Sequence, residues 1–217
     1  MEYESILSKK EGKVVTITLN RPQSLNFLDP IMAEETDRAL ADAEKDEGVG
    51  AGVITGAGRA FSAGGDRKFR KEDHTAYEFY QRMEYITRFI RTMIHLPKPI
   101  IASVNGPAVG GGCNIALAAD IVLASEKATF AEVFSRIGLI PDCGGIYLLS
   151  RRIGLTRAKD LVFTGRTVEA QEAERMGMVN RVFPAEALPE ETRKMALELA
   201  GGPTLAIREA PTEQQRT

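Results

Sequence analysis

The first regular feature of the chain is an alternation of apolar and polar side chains. Val15, Ile17 and Leu19 alternate with Thr16 and Thr18, a period of two that predicts a half-buried strand over 13–19, after a β-like run at 3–8. Asn20-Arg21-Pro22 breaks that pattern. Asp29 then supplies a capping acceptor and Pro30 a first-turn proline. Met32, Thr36, Ala39, Leu40 and Ala43 follow at helical spacing, so 30–46 reads as an amphipathic helix. A strand at 50–55 runs into a glycine-rich loop, 56–66. Residues 71–95 read as a helix carrying Phe79, Met83, Ile86, Ile90 and Met93 on one face. An apolar strand at 100–104 runs into a second glycine-rich loop, 105–112, which opens a helix at 114–119, and 121–124 reads as a strand again. Strand, loop or helix, strand recurs, which predicts an α/β protein with covered sheets. Beyond 144 the pattern turns helical, at 145–152, 157–163, 170–176 and 185–200, with a short strand at 179–183.

Composition narrows the partners. The 217 residues are 43% apolar and 27% charged, with a formal net charge of −2. Basic residues occur as short doublets, so neither a nucleic acid nor a membrane is expected as partner. No run reaches the ~18 apolar residues of a membrane span, and the N-terminus lacks a leader pattern, which predicts a cytoplasmic protein. Two cysteines, Cys113 and Cys143, with the scattered His74 and His95, are too few soft ligands for a metal site, so none is expected. No linker interrupts the chain. It reads as one domain over 1–200, with a core to about 145 and a helical region from about 145 to 200, and a polar, disordered tail at 201–217.

The chemistry concentrates in the two loops, Gly58-Arg59-Ala60-Phe61-Ser62-Ala63-Gly64-Gly65-Asp66 and Asn105-Gly106-Pro107-Ala108-Val109-Gly110-Gly111-Gly112. Each follows a predicted buried strand. Glycine permits positive φ and close approach of backbone to a ligand, and a helix N-terminus presents unpaired N–H groups. Two such loops could aim amides at one developing negative oxygen; either loop alone is more often a turn than a site. Neither is a P-loop or a G-x-G-x-x-G fingerprint.

Four blocks occur in one order. They are Asn20-Arg21-Pro22 with Leu25-Asn26, Ala60 to Asp66, Asn105 to Cys113, and Gly138-Leu139-Ile140-Pro141 with Gly144-Gly145. Together they resemble the crotonase (enoyl-CoA hydratase/isomerase) superfamily. The resemblance implies a spiral of ββα units with a helical C-terminal region, assembly as a homotrimer or dimer of trimers, and an acyl-CoA thioester as substrate. Coenzyme A would enter as part of that substrate, with no covalently bound cofactor. It implies an oxyanion hole made by the amides of Ala63 and Gly111, and substrate contacts at Ser24, Leu25, Ala63, Gly64, Gly65, Asp66 and Gly111.

The acids then select the reaction. Hydratases of this family use two glutamates. Asn114 and Phe134 stand at those positions here, which argues against standard hydration. Asp142 matches the acidic position of Δ3,Δ2-enoyl-CoA isomerases and resembles the Pro-Asp form of the ring-epoxide isomerases of phenylacetate catabolism. A 1,3-proton shift needs one base, and Asp142 is expected to be it, unless it merely caps the helix that follows. Glu132 reads as a surface or structural acid, and Asp66 as a brace of its turn. The alternatives are a hydratase-like enzyme, a dehalogenase-type nucleophile at Asp142, and a non-catalytic acyl-CoA binder.

Overall fold

The computed structural model describes residues 3–65, 75–203 and 206. A six-stranded sheet runs in the order β1-β2-β3-β4-β6-β9. Its strands are β1 (Ile6–Glu11), β2 (Val14–Leu19), β3 (Ala51–Gly56), β4 (Ile100–Val104), β6 (Ile121–Ser125) and β9 (Arg181–Phe183). Only β1 is antiparallel to its neighbour; the other pairs are parallel. A smaller sheet pairs β5 (Ala108–Val109) with β7 (Thr129–Ala131) in parallel, and β7 with β8 (Thr167–Glu169) antiparallel.

Helices cover both faces of the large sheet, which is why its central strands read as unbroken apolar runs. On one face Ile17, Leu19, Ile54, Ala102, Val104, Val122 and Ala124 pack into a common cluster with Met32 of α1 (Pro30–Lys45) and Phe89, Ile90 and Met93 of α2 (Ala76–His95). On the other face Val14, Ala51, Val53, Ile101 and Leu123 meet Leu188, Ala196 and Ala200 of α7 (Leu188–Gly201). β4 shows the alternation directly. Ile101 faces α7, where Ser103 Oγ also lies 2.9 Å from Thr192 Oγ1, while Ile100, Ala102 and Val104 join the first cluster.

The elements expected from periodicity are present with shifted bounds. The first strand begins at Ile6 rather than at residue 3, and α2 is described from Ala76; the expected start at 71 lies outside the described residues, as does the side chain of Phe79. Asp29 caps α1 as expected, its side chain accepting from Met32 N–H. The helix after the second loop, α3 (Gly111–Ala118), starts three residues earlier than 114, so its first turn is the glycine run itself. β5, β7 and β8 have no counterpart in the sequence reading. The expected helical stretch from 145 resolves into α4 (Gly145–Ile153), α5 (Leu155–Thr164) and α6 (Ala170–Met176), with β8 between the last two.

Candidate active site

Adjacent parallel strands leave the sheet at the same end, and this brings the two loops together. β3 delivers the first loop and its neighbour β4 the second, and a crevice at the carboxyl ends of parallel strands is where such sheets hold ligands. The loops zip side by side. Phe61 and Ser62 N–H donate to Pro107 O at 3.1 and 3.2 Å, and Val109 N–H donates to Ser62 O at 2.9 Å. The packing leaves no space for side chains at two glycines. A Cβ on Gly64, at φ +80°, would lie 2.5 Å from Val109 O and 3.1 Å from Gly111 N, and one on Gly112 only 2.2 Å from Ser62 O.

The segment before α1 braces the first loop from its other side. Asn26 is fully buried. Its Nδ2 faces the carbonyls of Ala57, Ala60 and Phe61 at 2.9, 2.9 and 3.1 Å, and its Oδ1 accepts from Arg21 N–H at 2.9 Å. Leu25 and Asn26 take left-handed conformations, φ 56° and 55°, unusual for residues with side chains. That turn aims the Leu25 carbonyl at the first loop, where it accepts the Ala63 N–H at 2.9 Å.

This bond corrects the expected oxyanion pair. The Ala63 amide is engaged by backbone and has no proton to offer a substrate. Gly64 N–H is also directed inward, to Ser62 Oγ at 3.2 Å, and Gly64 O accepts from Leu28 N–H at 2.8 Å. Gly65 N–H, the next in the loop, has no acceptor among the described residues, and a Cβ there would meet nothing within 4 Å. Gly111 is the first residue of α3, and its N–H likewise has no acceptor among the described residues. Of the expected substrate contacts, Leu25, Ala63, Gly64, Gly65 and Gly111 lie on these joined segments. Ser24 sits one residue before Leu25, its hydroxyl on Arg21 O at 3.1 Å. Asp66 lies outside the described residues.

Asp142 does not cap α4. The cap position belongs to Gly144, with no side-chain bond, and it is the Asp142 carbonyl that receives Gly145 N–H at 2.8 Å and Asn114 Nδ2 at 2.9 Å. Its Oδ1 is buried without a hydrogen-bond partner among the described residues. A Cβ built on Gly111 would stand 3.8 Å from that oxygen, so the carboxyl borders the start of α3. Burial raises the Asp142 pKa, outweighing hydrogen bonds from Cys143 and from its own backbone. Desolvation therefore prevails at this carboxyl. Cys143, beside it, is left-handed at φ 50°.

The enoyl-CoA hydratase/isomerase family model matches residues 9–216. The chain belongs to that family. It is 40% identical over 207 residues to a 1,2-epoxyphenylacetyl-CoA isomerase of Escherichia coli, covering 94% of this chain and 79% of the relative. It is 37% identical over 209 residues to a short-chain-enoyl-CoA hydratase of Clostridium acetobutylicum, covering 96% and 80%. Among solved structures, an enoyl-CoA hydratase of Bacillus anthracis superposes with a TM-score of 0.93 at 34% identity, covering 96% of this chain and 81% of that one. The fold is that of the crotonase hydratases, and this chain is an enzyme of the hydratase/isomerase family.

Within this crotonase site, Phe134 is buried with its ring beside Gly110, 3.5 Å from the point where a Cβ would stand, and Asn114 is buried on Gly145. Of the two uses expected for Glu132, surface or structural, its burial removes the first. The residue is 1% exposed, and neither carboxyl oxygen has a hydrogen-bond partner among the described residues. Burial is the main cause that pushes its pKa up to about 7, with the charge of Asp142 adding and the side chains of Cys113 and Asn114 opposing. A signal was present in the sequence: Glu132 interrupts the apolar run Phe130, Ala131, Val133, Phe134. Among the described residues no three metal-ligating side chains converge, and the candidate chemistry consists of amides and carboxyls.

A carboxyl whose pKa rises on folding makes stability fall as pH rises. Folding is favoured most below the ordinary value of 4.5, weakens as pH climbs toward about 7, and levels off above it. The loss across that window is about 3 kcal/mol for a group this buried. Glu132→Gln removes it, so urea midpoints of wild type and variant should diverge between roughly pH 5 and pH 8, with the variant gaining at the higher pH. Parallel midpoints at both pH values would mean that Glu132 is solvated.

Proposed function

We propose that this protein is an enoyl-CoA isomerase that moves a double bond by a 1,3-proton shift, with Asp142 as the base. The observation that carries this reading is the unpartnered Asp142 Oδ1 bordering Gly111, at a site where Asn114 and Phe134 replace the hydratase glutamates. The carboxylate takes a proton from C2 of a 3-enoyl thioester. The electron pair passes into the carbonyl, the resulting dienolate oxygen accepts from the amides of Gly65 and Gly111, and the carboxylic acid returns the proton at C4. One base serves both transfers and the proton count closes. Coenzyme A is held along Ser24, Leu25 and the first loop, and Asp66 continues that loop. The 40% identity to an epoxyphenylacetyl-CoA isomerase supports an isomerase, and the hydratases among the relatives support the alternative of hydration.

The second reading has its own observation: Glu132 supplies another buried carboxyl next to Asp142. A panel of 3-enoyl-, 2-enoyl- and aromatic-epoxide CoA thioesters separates the two. Migration of the 3-enoyl double bond, with a deuterium label at C2 carried to C4 and no 3-hydroxyacyl product, is expected; hydration without migration would replace isomerase by hydratase. Assembly as a trimer is part of the same proposal, supported by apolar side chains left in solvent near α4 and α5, Ile140 at 79% exposure and Phe163 at 72%.

A further inference from the structure

Four buried polar atoms lack a hydrogen-bond partner among the described residues: Asn114 Oδ1, both oxygens of Glu132 and Asp142 Oδ1. They sit on three residues that adjoin one another. Asn114 Nδ2 holds the Asp142 carbonyl, while the side chains of Asn114 and Cys113 face the Glu132 carboxyl. With both acids ionised, all four atoms are acceptors. The titratable groups that face Glu132 are Cys113 from α3, and Asp142 and Cys143 from the turn before α4. Both thiols are held neutral by burial. Arg152 acts on Cys113 and not on Glu132, so among the described residues no cation compensates a second negative charge. Two adjoining buried carboxylates are strongly unfavourable where the described donors that face them are neutral side chains and one backbone N–H. One proton resolves the imbalance, because a protonated Glu132 becomes a donor and Asn114 Oδ1 is an acceptor in want of one.

We propose that Glu132 is kept as a neutral carboxylic acid that donates to the Asn114 side-chain oxygen, fixing the Asn114 amide on the Asp142 carbonyl and so positioning the Asp142 carboxylate against Gly111. Glu132 is a positioning residue; it exchanges no proton with substrate. The kinetic part of this assignment rests on the isomerase reading, and its protonation state does not. Ionisation of Glu132 breaks the chain of bonds and sets a like charge beside the base, so turnover declines on the alkaline side as pH passes about 7.

The test combines infrared spectroscopy without substrate and kinetics with a 3-enoyl-CoA. A protonated-carboxyl C=O band should fade as pH rises through about 7, persist in Asp142→Asn and be absent in Glu132→Gln. Glu132→Ala should lower kcat by about tenfold to a hundredfold with KM nearly unchanged, the scale of a misplaced group. Glu132→Gln, whose amide can still donate, should recover most of that loss and abolish the alkaline decline. Absence of the band from the wild type at about pH 6 overturns the proposal. So does a Glu132→Gln enzyme as slow as Asp142→Asn, which would make Glu132 a proton carrier. A band that behaves as described in a protein that isomerises no enoyl-CoA leaves Glu132 neutral and removes the isomerase reading instead. Asp142-dependent isomerisation without the band overturns the assignment of Glu132 and leaves the isomerase reading standing.

Discussion

Asp142→Asn should slow double-bond migration by at least about a thousandfold, toward the upper end of what a positioned base contributes. The amide matches the carboxyl in volume but cannot hold the transferred proton. The bonds that the carboxyl itself receives, from Cys143 and from its own backbone, can be accepted by an amide oxygen as well. The bonds that fix this turn, from Gly145 N–H and Asn114 Nδ2, end on the Asp142 backbone carbonyl and survive the substitution. A saturated acyl-CoA should therefore bind the variant with an affinity close to that of wild type, measurable by calorimetry. Wild-type turnover should rise with pH through a value above the ordinary 3.8 of aspartate, because burial raises this pKa and only the ionised form is a base. The residual rate of the variant should lack that acid limb. A variant that retains more than about a tenth of the wild-type rate would mean that another group moves the proton, and a pure acyl-CoA binder would show no rate to lose.

Much of this site is legible in the sequence because its coarse placement follows from strand order. Two apolar runs, at 50–55 and 100–104, each end in glycine-rich sequence. Once they become neighbouring parallel strands, their loops must emerge together. The chain could not reveal which amides remain free. Ala63 and Gly65 differ only in a hydrogen bond made by a residue 38 positions upstream of the first, Leu25, whose carbonyl is turned by two consecutive left-handed residues that no propensity favours. The burial of Glu132 was hidden for a related reason. It follows the three-residue strand β7 and enters the 3-10 turn Val133–Ile137, so neither a period of two nor one of 3.6 could assign its face. β5 and β8 are equally short, held by pairing across the chain rather than by any local pattern. Asp142 had two readings in the sequence, cap or base, and the bond that separates them is made by its main chain.

Gly111→Pro should lower kcat by roughly a hundredfold to a thousandfold, the equivalent of about 2.7–4 kcal/mol for one lost oxyanion donor. Proline deletes the N–H and puts its ring Cδ in that place. Residue 111 opens α3, and the first helical position is the one where proline is tolerated, since its N–H has no intrahelical partner. The surroundings also admit a Cβ, whose nearest neighbours would be Cys143 Sγ at 3.6 Å and Asp142 Oδ1 and Gly64 Cα at 3.8 Å, all ordinary contacts. Gly111→Ala supplies the control, with the same Cβ and the amide proton retained, and it should keep most of the wild-type rate. The contrast between the two variants separates the change at the nitrogen from crowding by the Cβ. Equal losses would assign the effect to crowding of Asp142, and an unimpaired proline variant would leave the dienolate oxygen without its donor on α3. Such a result would move stabilisation of that charge away from the junction of the two loops, and the isomerase mechanism with it.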